Sequence, residues 1–108
     1  MPFDVRLTAG AQRDLEELYA YVARHDSPAN AERLLDQVLE TAQTLSQAPE
    51  RGAILSELAA LGIQDYRQVF FKPYRIIYRV IGKTVFIYLI ADGRRDMRTL
   101  LERRLVGG

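Results

Sequence analysis

The segment between residues 66 and 91 constrains the fold most, because aromatic and β-branched residues fill most of its positions. Such residues suit the pleated, half-buried surface of a sheet. Proline interrupts the segment at Lys72-Pro73, and Gly82-Lys83 is a two-residue hairpin loop of the Gly-X kind. The sequence therefore predicts three strands joined by tight turns, over residues 66–71, 74–81 and 84–91.

The last two of these strands differ in their patterns. In the strand 74–81 one face carries Tyr74, Ile76, Tyr78 and Val80, and the other carries Arg75, Ile77, Arg79 and Ile81. The strand 84–91 contains a nearly continuous apolar run, which is typical of a central strand with both faces covered. We therefore expect the strand 84–91 to occupy a central, well-covered position in the sheet.

The N-terminal half predicts one strand and two helices. Residues 3–7 alternate apolar and charged side chains, as in a half-buried strand, and Thr8 can cap the following helix. In that helix the apolar positions recur with helical spacing at Leu15, Leu18, Tyr19 and Val22. Ser27 as N-cap and Pro28 at the first helical position then start a second helix, so the two form a hairpin.

The remaining elements complete an α+β order. Residues 51–65 form a connector with one short helical turn over 56–61, and Asp96 can cap a last helix over 97–105. The order β-αα-βββ-α predicts an N-terminal helical hairpin packed on a small, mostly antiparallel, twisted sheet. We expect the 108 residues, 1–108, to form a single domain.

Composition excludes several kinds of site. The chain has no cysteine and one histidine, so disulfides and cysteine zinc sites are excluded, and a Ser-His-Asp triad has little to draw on. We expect no metal and no cofactor. No apolar run reaches the length of about 18 residues that a membrane helix needs, and no secretory signal is visible, so the expected location is the cytoplasm.

A net charge of +1 conceals a strong asymmetry along the chain. Residues 1–66 carry five arginines against eleven carboxylates, a net charge of −6, and residues 67–108 carry eight arginines and two lysines against three carboxylates, a net charge of +7. Such polarity indicates an anionic partner for the C-terminal half, either a phosphate backbone or an acidic protein segment. Mutual neutralisation of the two halves is the alternative.

Two groups of residues resemble the ParE-type toxins of the RelE/ParE superfamily. The first is the hairpin sequence of residues 11–19 and 27–31, followed by Leu45, Pro49 and Gly52. The second comprises residues 66–67, the block Pro-Tyr-Arg-Ile-Ile-Tyr-Arg-Val at 73–80 and the block Ala-Asp-Gly-Arg-Arg-Asp at 91–96. The resemblance implies a RelE/ParE-like fold and the role of toxin in a type II toxin–antitoxin system.

Two activities occur on this fold: RelE-like members cleave mRNA in the ribosomal A site, whereas ParE-like members poison DNA gyrase. RelE-like enzymes use lysine and arginine on the sheet, an arginine after the last strand and a tyrosine in the last helix. By resemblance, Arg75 and Arg95 match the arginines and Arg67 stands near one lysine. Val69 and Leu101 stand near the other lysine and the tyrosine, and neither can exchange a proton.

The missing proton-transfer groups favour a non-catalytic gyrase poison, since an arginine that stays protonated near neutral pH is a poor general base. No catalytic residue is predicted. A RelE-like ribosome-dependent mRNA endonuclease is the alternative, and a folded partner-binding module without toxicity is a third hypothesis.

The resemblance implies two partners, DNA gyrase and a ParD-like antitoxin with a ribbon-helix-helix part and a wrapping C-terminal segment. The predicted target-binding residues are Arg67, Arg75, Arg94, Arg95 and Arg98. The predicted antitoxin-binding residues are Leu15, Leu18, Tyr19, Val22, Arg75, Arg79, Arg94 and Arg95. We expect a hetero-oligomer with the antitoxin, no membrane binding and no direct sequence-specific DNA binding.

Each arginine also has a purely structural interpretation. Arg75 and Arg79 can lay their stems along the strand and keep their charged heads in water. The pair at 94–95 can belong to a solvated turn, and the pair at 103–104 can complement the dipole of the last helix. The residues predicted to be structural are Ser27, Pro28, Gly82 and Asp96.

Overall fold

The computed structural model describes residues 2–106, which form four α-helices and one five-stranded sheet. The elements are β1 (Asp4–Leu7), α1 (Ala9–His25), α2 (Pro28–Gln43), β2 (Ala53–Ile54), α3 (Ser56–Ala59), β3 (Tyr66–Phe71), β4 (Tyr74–Ile81), β5 (Thr84–Asp92) and α4 (Met97–Leu101). One π-helical turn, Glu102–Val106, continues α4. Within the described residues no helix combines the length and the apolar character needed to cross a membrane.

The strand order in the sheet is β1-β5-β4-β3-β2. Three of the four neighbouring pairs are antiparallel, and β1 pairs with β5 in parallel. The predicted α+β class and the mostly antiparallel sheet are therefore confirmed, and β5 has strands on both sides near its start. The predicted order omitted β2, which lies within the predicted connector, because two residues are too short to show the alternation of a strand.

Side-chain caps start the two long helices. The Thr8 Oγ1 atom accepts a hydrogen bond from the Ala11 N–H at 3.2 Å, and the Ser27 Oγ atom accepts one from the Asn30 N–H at 3.1 Å. Pro28 occupies the first position of α2, where its lack of an N–H costs no helical hydrogen bond. These contacts fix where each helix of the hairpin begins.

Local backbone requirements also shape the C-terminal half. Asp96 caps α4, because its Oδ1 accepts from the Thr99 N–H at 3.2 Å and its Oδ2 accepts from the Thr99 hydroxyl at 2.7 Å. Gly82 has a φ of +61° in the turn between β4 and β5, a conformation that side chains with a Cβ rarely adopt. The last helix differs from the prediction, since its regular α-helical part ends at Leu101.

The sheet separates two apolar cores. On one face the helical hairpin packs against β3, β4 and β5. Leu15 of α1, Val38 of α2 and Leu45 just after α2 meet sheet residues such as Ile76 and Ile87 there. On the opposite face α3 and α4 supply Leu55, Leu58, Met97 and Leu101, which pack with Ile77, Leu89 and Ala91 of the sheet. Both faces of the sheet are therefore covered, which explains the nearly continuous apolar run in β5.

A β-bulge in β5 changes which side chains face each core. The register passes from the pair Tyr78↔Ile87 to the pair Ile77↔Leu89, so Tyr88 is an extra residue in β5. Before the bulge Ile87 faces the hairpin, and after it Ile90 does so. The bulge reverses the alternation of the strand, and the sequence pattern alone did not reveal it.

A buried tyrosine joins the connector to the sheet. The Tyr78 hydroxyl donates to the Pro49 carbonyl oxygen at 2.7 Å and accepts from the Gly52 N–H at 3.0 Å. A Cβ atom at Gly52 would lie 2.6 Å from both the Tyr78 hydroxyl and the Gln68 carbonyl oxygen, so only glycine fits there. Burial raises the pKa of Tyr78, which keeps the hydroxyl neutral and able to donate.

Replacing Tyr78 with phenylalanine removes this hydroxyl while preserving the ring. We expect Tyr78→Phe to lower the free energy of unfolding by about 1–3 kcal/mol, because the Gly52 N–H and the Pro49 carbonyl lose a partner. Urea unfolding followed by circular dichroism measures the change. Tyr21→Phe, at a residue with 64 % of its surface exposed, is the matched control. Equal losses in the two variants would contradict the role of the Tyr78 hydroxyl.

Candidate binding surface at the arginine turn

Two exposed arginines project from the turn between β5 and α4, residues 93–96, here called the arginine turn. The Arg94 side chain is 81 % exposed and lies against Asp92, the last residue of β5. Its Nε atom donates to Asp92 Oδ1 at 2.9 Å, and its Nη2 atom donates to Asp92 Oδ2 at 2.6 Å. Asp92 thus sets the direction of the Arg94 side chain.

The same contacts alter the ionisation of Asp92. Hydrogen bonds from the Arg94 side chain and, next, from its backbone N–H lower the pKa of Asp92 to about 2. The carboxylate is therefore charged throughout the physiological pH range. The turn thus presents a fixed Asp92–Arg94 ion pair beside the exposed cation of Arg95, and the Asp96 carboxylate that caps α4 balances the Arg95 charge.

Arg95 is the less constrained of the two arginines. Its backbone N–H donates to the Asp92 carbonyl oxygen at 3.1 Å, whereas its exposed guanidinium forms no hydrogen bond to any residue between 2 and 106. A guanidinium in this state can take a carboxylate or phosphate through two parallel hydrogen bonds.

A groove of about 560 Å³ lies between the arginine turn and α1. Its lining includes Glu17, Leu18 and Tyr21 on α1 and Tyr74, Arg94 and Arg95 on the opposite wall. Burial, followed by the Asp92 charge, raises the pKa of Tyr74, so its hydroxyl stays neutral. The groove therefore combines apolar, aromatic and charged surface, which is typical of a binding site. We call it the turn groove.

Arg75 lies beneath the turn instead of on the surface. Its side chain is 10 % exposed, and its Nη1 and Nη2 atoms donate to the two carboxylate oxygens of Glu57 at 2.8 and 3.0 Å. Its Nε atom donates to the Gln68 Oε1 atom at 2.6 Å. The interpretation that Arg75 keeps its charged head in water is therefore wrong, because α3 brings Glu57 over the guanidinium.

Gly93 connects Arg75 with the arginine turn. The Gly93 N–H donates to the Pro73 carbonyl oxygen at 2.8 Å. A Cβ atom at position 93 would lie 3.1 Å from Arg75 Cδ and 3.2 Å from the Pro73 oxygen, so the turn rests directly on the Arg75 stem. The Glu57–Arg75 pair thus supports the turn that carries the exposed arginines.

The other predicted cationic residues lie apart from the turn groove. The Arg67 Nη1 atom donates to the carbonyl oxygens of Gly52 and Glu50 at 2.8 and 3.3 Å, which ties down the connector. The Arg79 guanidinium lies 5.6 Å from the centre of the Tyr66 ring, a cation–π contact. Arg98 is exposed on α4 and lines a separate groove with Leu61.

The four apolar residues predicted to bind the antitoxin are used differently. Leu15 is 4 % exposed and belongs to the hairpin core, so its surface is already covered. Leu18 is half-buried and lines the turn groove. Tyr19 lines another apolar groove, beside Leu39, and Val22 is half-buried on α1. The structure therefore leaves Leu18, Tyr19 and Val22 with surface for contacts.

Sequence reasoning missed an ion pair that joins the two ends of the chain. The Arg104 Nη1 and Nη2 atoms donate to Asp14 Oδ2 and Oδ1, each at 2.9 Å. A Cβ at Gly10 would lie 3.0 Å from Arg104 Nη1, so the arginine packs closely against α1. The two residues are 90 positions apart, and no local pattern connects them. Arg104 was interpreted only as a complement to the helix dipole.

The low pKa of Asp92 predicts a specific dependence of stability on pH. The pKa of Asp92 is about 2 in the folded protein and about 3.8 in the unfolded chain. The ionised carboxylate therefore stabilises the fold fully above about pH 3.8, and this stabilisation is lost as the pH falls towards about 2. We expect the difference in unfolding free energy between the wild type and Asp92→Asn to be constant above about pH 5 and to shrink below pH 4. Urea unfolding at several pH values measures it, with Asp36→Asn on the exposed face of α2 as control. A difference that does not change with pH would contradict the assignment.

Comparisons with known proteins agree on the kind of fold. A chain of the chromosomal ParDE toxin–antitoxin system from P. aeruginosa superposes with a TM-score of 0.71 at 21 % identity, covering 83 % of this chain and 95 % of that one. A free-state mutant of the E. coli toxin RelE gives a TM-score of 0.62 at 16 % identity, with 93 % of each chain covered. At these identities the two superpositions show the shared fold.

Sequence similarity goes further than the fold. A chain of the toxin–antitoxin complex RelBE2 from Mycobacterium tuberculosis is 30 % identical, with a TM-score of 0.63 and coverage of 85 % of this chain and 92 % of that one. No curated protein sequence gives a significant match. The family described as the ParE toxin of the type II toxin–antitoxin system parDE matches residues 5–97, which include both the helical hairpin and the arginine turn. The chain therefore belongs to the ParE toxin family and is a type II toxin.

Proposed function

We propose that this toxin acts in the cytoplasm by binding and inhibiting DNA gyrase, without chemistry of its own, and that a ParD-like antitoxin holds it inactive. The observation that supports a binding toxin over an mRNA-cleaving one is the pairing of Arg75 with Glu57. By resemblance, Arg75 is the sheet arginine that an RNA-cleaving relative would use to stabilise charge on the phosphate.

Cleavage of RNA by attack of a 2′-hydroxyl on the adjacent phosphate requires an available cation beside that phosphate. The Arg75 guanidinium already binds both carboxylate oxygens of Glu57 and the amide oxygen of Gln68. A phosphate could reach it only by displacing Glu57, whose pKa is lowered mainly by its hydrogen bond with Arg75. The charged pair is thus mutually stabilised, and Arg75 is not available to substrate.

The reaction also requires groups that take and return a proton. Of the two positions that correspond by resemblance to the missing lysine and tyrosine, Val69 is 4 % exposed in the hairpin core. Leu101 is 1 % exposed in the core on the opposite face. Both positions serve packing, so neither offers a proton-transfer group to a bound RNA.

The arginine turn supplies the surface for a target. Arg94 and Arg95 are exposed at the rim of the turn groove, and the Arg95 guanidinium has no acceptor among the described residues. Two arginines that point outwards from a supported turn suit recognition of carboxylates on a protein surface. We assign them to the contact with gyrase.

The antitoxin has both apolar and charged surface to bind. Leu18 in the turn groove and Tyr19 in the neighbouring apolar groove offer anchoring positions on α1. The arginine turn offers cations for acidic side chains. Fully exposed ion pairs contribute about 0–1 kcal/mol each, so apolar contacts supply most of the affinity.

Removing the two exposed arginines tests the proposed target contact. We expect Arg94→Ala with Arg95→Ala to raise the toxin concentration for half-inhibition of gyrase supercoiling by about tenfold or more, which corresponds to about 1.4 kcal/mol. Purified toxin and gyrase on relaxed plasmid provide the assay, and circular dichroism checks folding.

The matched control is Arg6→Ala with Arg33→Ala, which removes the same charge from exposed positions on β1 and α2. The control should inhibit gyrase as the wild type does. Full gyrase activity in excess wild-type toxin would contradict the proposed function. Equal inhibition by the wild type, the Arg94/Arg95 variant and the Arg6/Arg33 control would contradict the role of the arginine turn.

A further inference from the structure

The parallel strand β1 covers only the first part of β5. Their pairing runs from Asp4↔Thr84 to Leu7↔Ile87, and the last backbone contact is the Thr8 N–H donating to the Ile87 carbonyl oxygen at 3.0 Å. The strand β5 continues to Asp92. From Tyr88 to Asp92 no strand among residues 2–106 lies on that side, which we call the β5 edge.

The bulge at Tyr88 turns backbone groups towards the β5 edge. Two of them are bonded to side chains: the Ile90 N–H donates to Asp14 Oδ2 at 3.0 Å, and the Tyr88 carbonyl oxygen accepts from Arg104 Nη1 at 2.7 Å. In a complete sheet a neighbouring strand would supply these partners. The Asp14–Arg104 pair therefore stands in for a missing strand along part of the edge.

Beyond this pair the edge continues with backbone groups that still face outwards. The Ile90 carbonyl lies on the same side as its N–H, because the two groups of one residue in an extended strand share a side. The Asp92 carbonyl accepts from the Arg95 N–H, so the Asp92 N–H also faces away from β4. These groups border the turn groove, whose 560 Å³ can hold a short peptide segment.

We propose that the β5 edge at Ile90–Asp92 is a strand-docking site for an extended segment of the antitoxin. The segment lies in the turn groove, donates to the Ile90 carbonyl and accepts from the Asp92 N–H. This inference rests on the proposed antitoxin partner and adds the place and the mode of its binding. Added strands bind through backbone hydrogen bonds and gain specificity from alternate side chains.

The walls of the groove specify the side chains of the segment. Leu18 forms an apolar floor beside the buried Ile90, so an apolar residue of the segment points inwards at Leu18. The exposed Arg95 guanidinium at one end favours a carboxylate on a protein segment. On the α1 wall, Glu17 disfavours an acidic residue beside it and favours a basic or neutral one there. The occupant is thus an extended segment of apolar and acidic residues.

Amide hydrogen exchange measures the backbone pairing directly. The probe is the co-expressed product of the reading frame that adjoins the toxin gene, and the ¹⁵N-labelled toxin is compared free and in the complex. We expect exchange of the Asp92 amide to slow by at least about tenfold in the complex. The Ile90 amide, already bonded to Asp14, should change less.

A substitution in the groove supplies a second measurement. We expect Leu18→Lys to weaken antitoxin binding by about 30-fold, because a charge on the apolar floor opposes the inward side chain. The matched control is Ile81→Lys, at a residue that is 46 % exposed. Ile81 ends β4 beside the Gly82 turn, at the opposite end of the strand from the arginine turn. This control should bind the antitoxin as the wild type does.

The outcomes separate this inference from the proposed function. A complex that protects other amides but leaves Asp92 exchanging at its free rate would overturn the docking site and leave the antitoxin partner intact. Equal affinity of Leu18→Lys and Ile81→Lys would also overturn it. Failure of the adjoining gene product to bind the wild-type toxin would overturn both the partner and the docking site.

Discussion

The ion pair between Arg75 and Glu57 supports the arginine turn and removes Arg75 from the surface that a ligand can reach. It joins α3 to β4, places the buried Arg75 guanidinium against the partly buried Glu57 carboxylate, and holds the stem of Arg75 under Gly93. Removal of one partner from such a pair costs about 3–5 kcal/mol in proteins generally, because the remaining charge stays buried without compensation. The chain thus uses this arginine as internal support and leaves two other arginines exposed above it.

A second ion pair shapes the neighbouring edge by a different physical route. Asp14 and Arg104 bridge α1 to the turn after α4 and satisfy two backbone groups of β5 where β1 has ended. The unpaired N–H and C=O groups of a sheet edge can bind another strand, and charged side chains at the edge are one way to prevent such pairing. Here they cover only part of the edge, so the groove beside Ile90–Asp92 stays open.

The sequence allowed the α+β class, the hairpin of helices, the three-stranded meander and the end of β5 to be predicted, because each rests on local periodicity or capping. Thr8, Ser27 and Asp96 are polar residues placed just before apolar helical patterns, and each accepts the hydrogen bond of a cap. The exposure of Arg94 and Arg95 could also be expected, since they follow Asp92-Gly93 in a turn.

The features that sequence reasoning missed are those set by distant contacts. Glu57 reaches Arg75 across 18 positions and Asp14 reaches Arg104 across 90, so neither pair leaves a local signal. The bulge at Tyr88 was hidden because both faces of β5 are apolar, and a shift of one residue then changes no visible pattern. Leu15 and Arg75 are buried, whereas Leu18 is half-buried and Arg95 is exposed. This difference likewise depends on which elements pack over each residue.

We propose that this toxin acts by binding its target and does not cut RNA. Primer extension on mRNA engaged with translating ribosomes, with and without purified toxin, tests this most directly. We expect identical extension products in both samples at toxin concentrations that fully inhibit gyrase supercoiling. New 5′ ends at ribosomal A sites in the presence of toxin would contradict it.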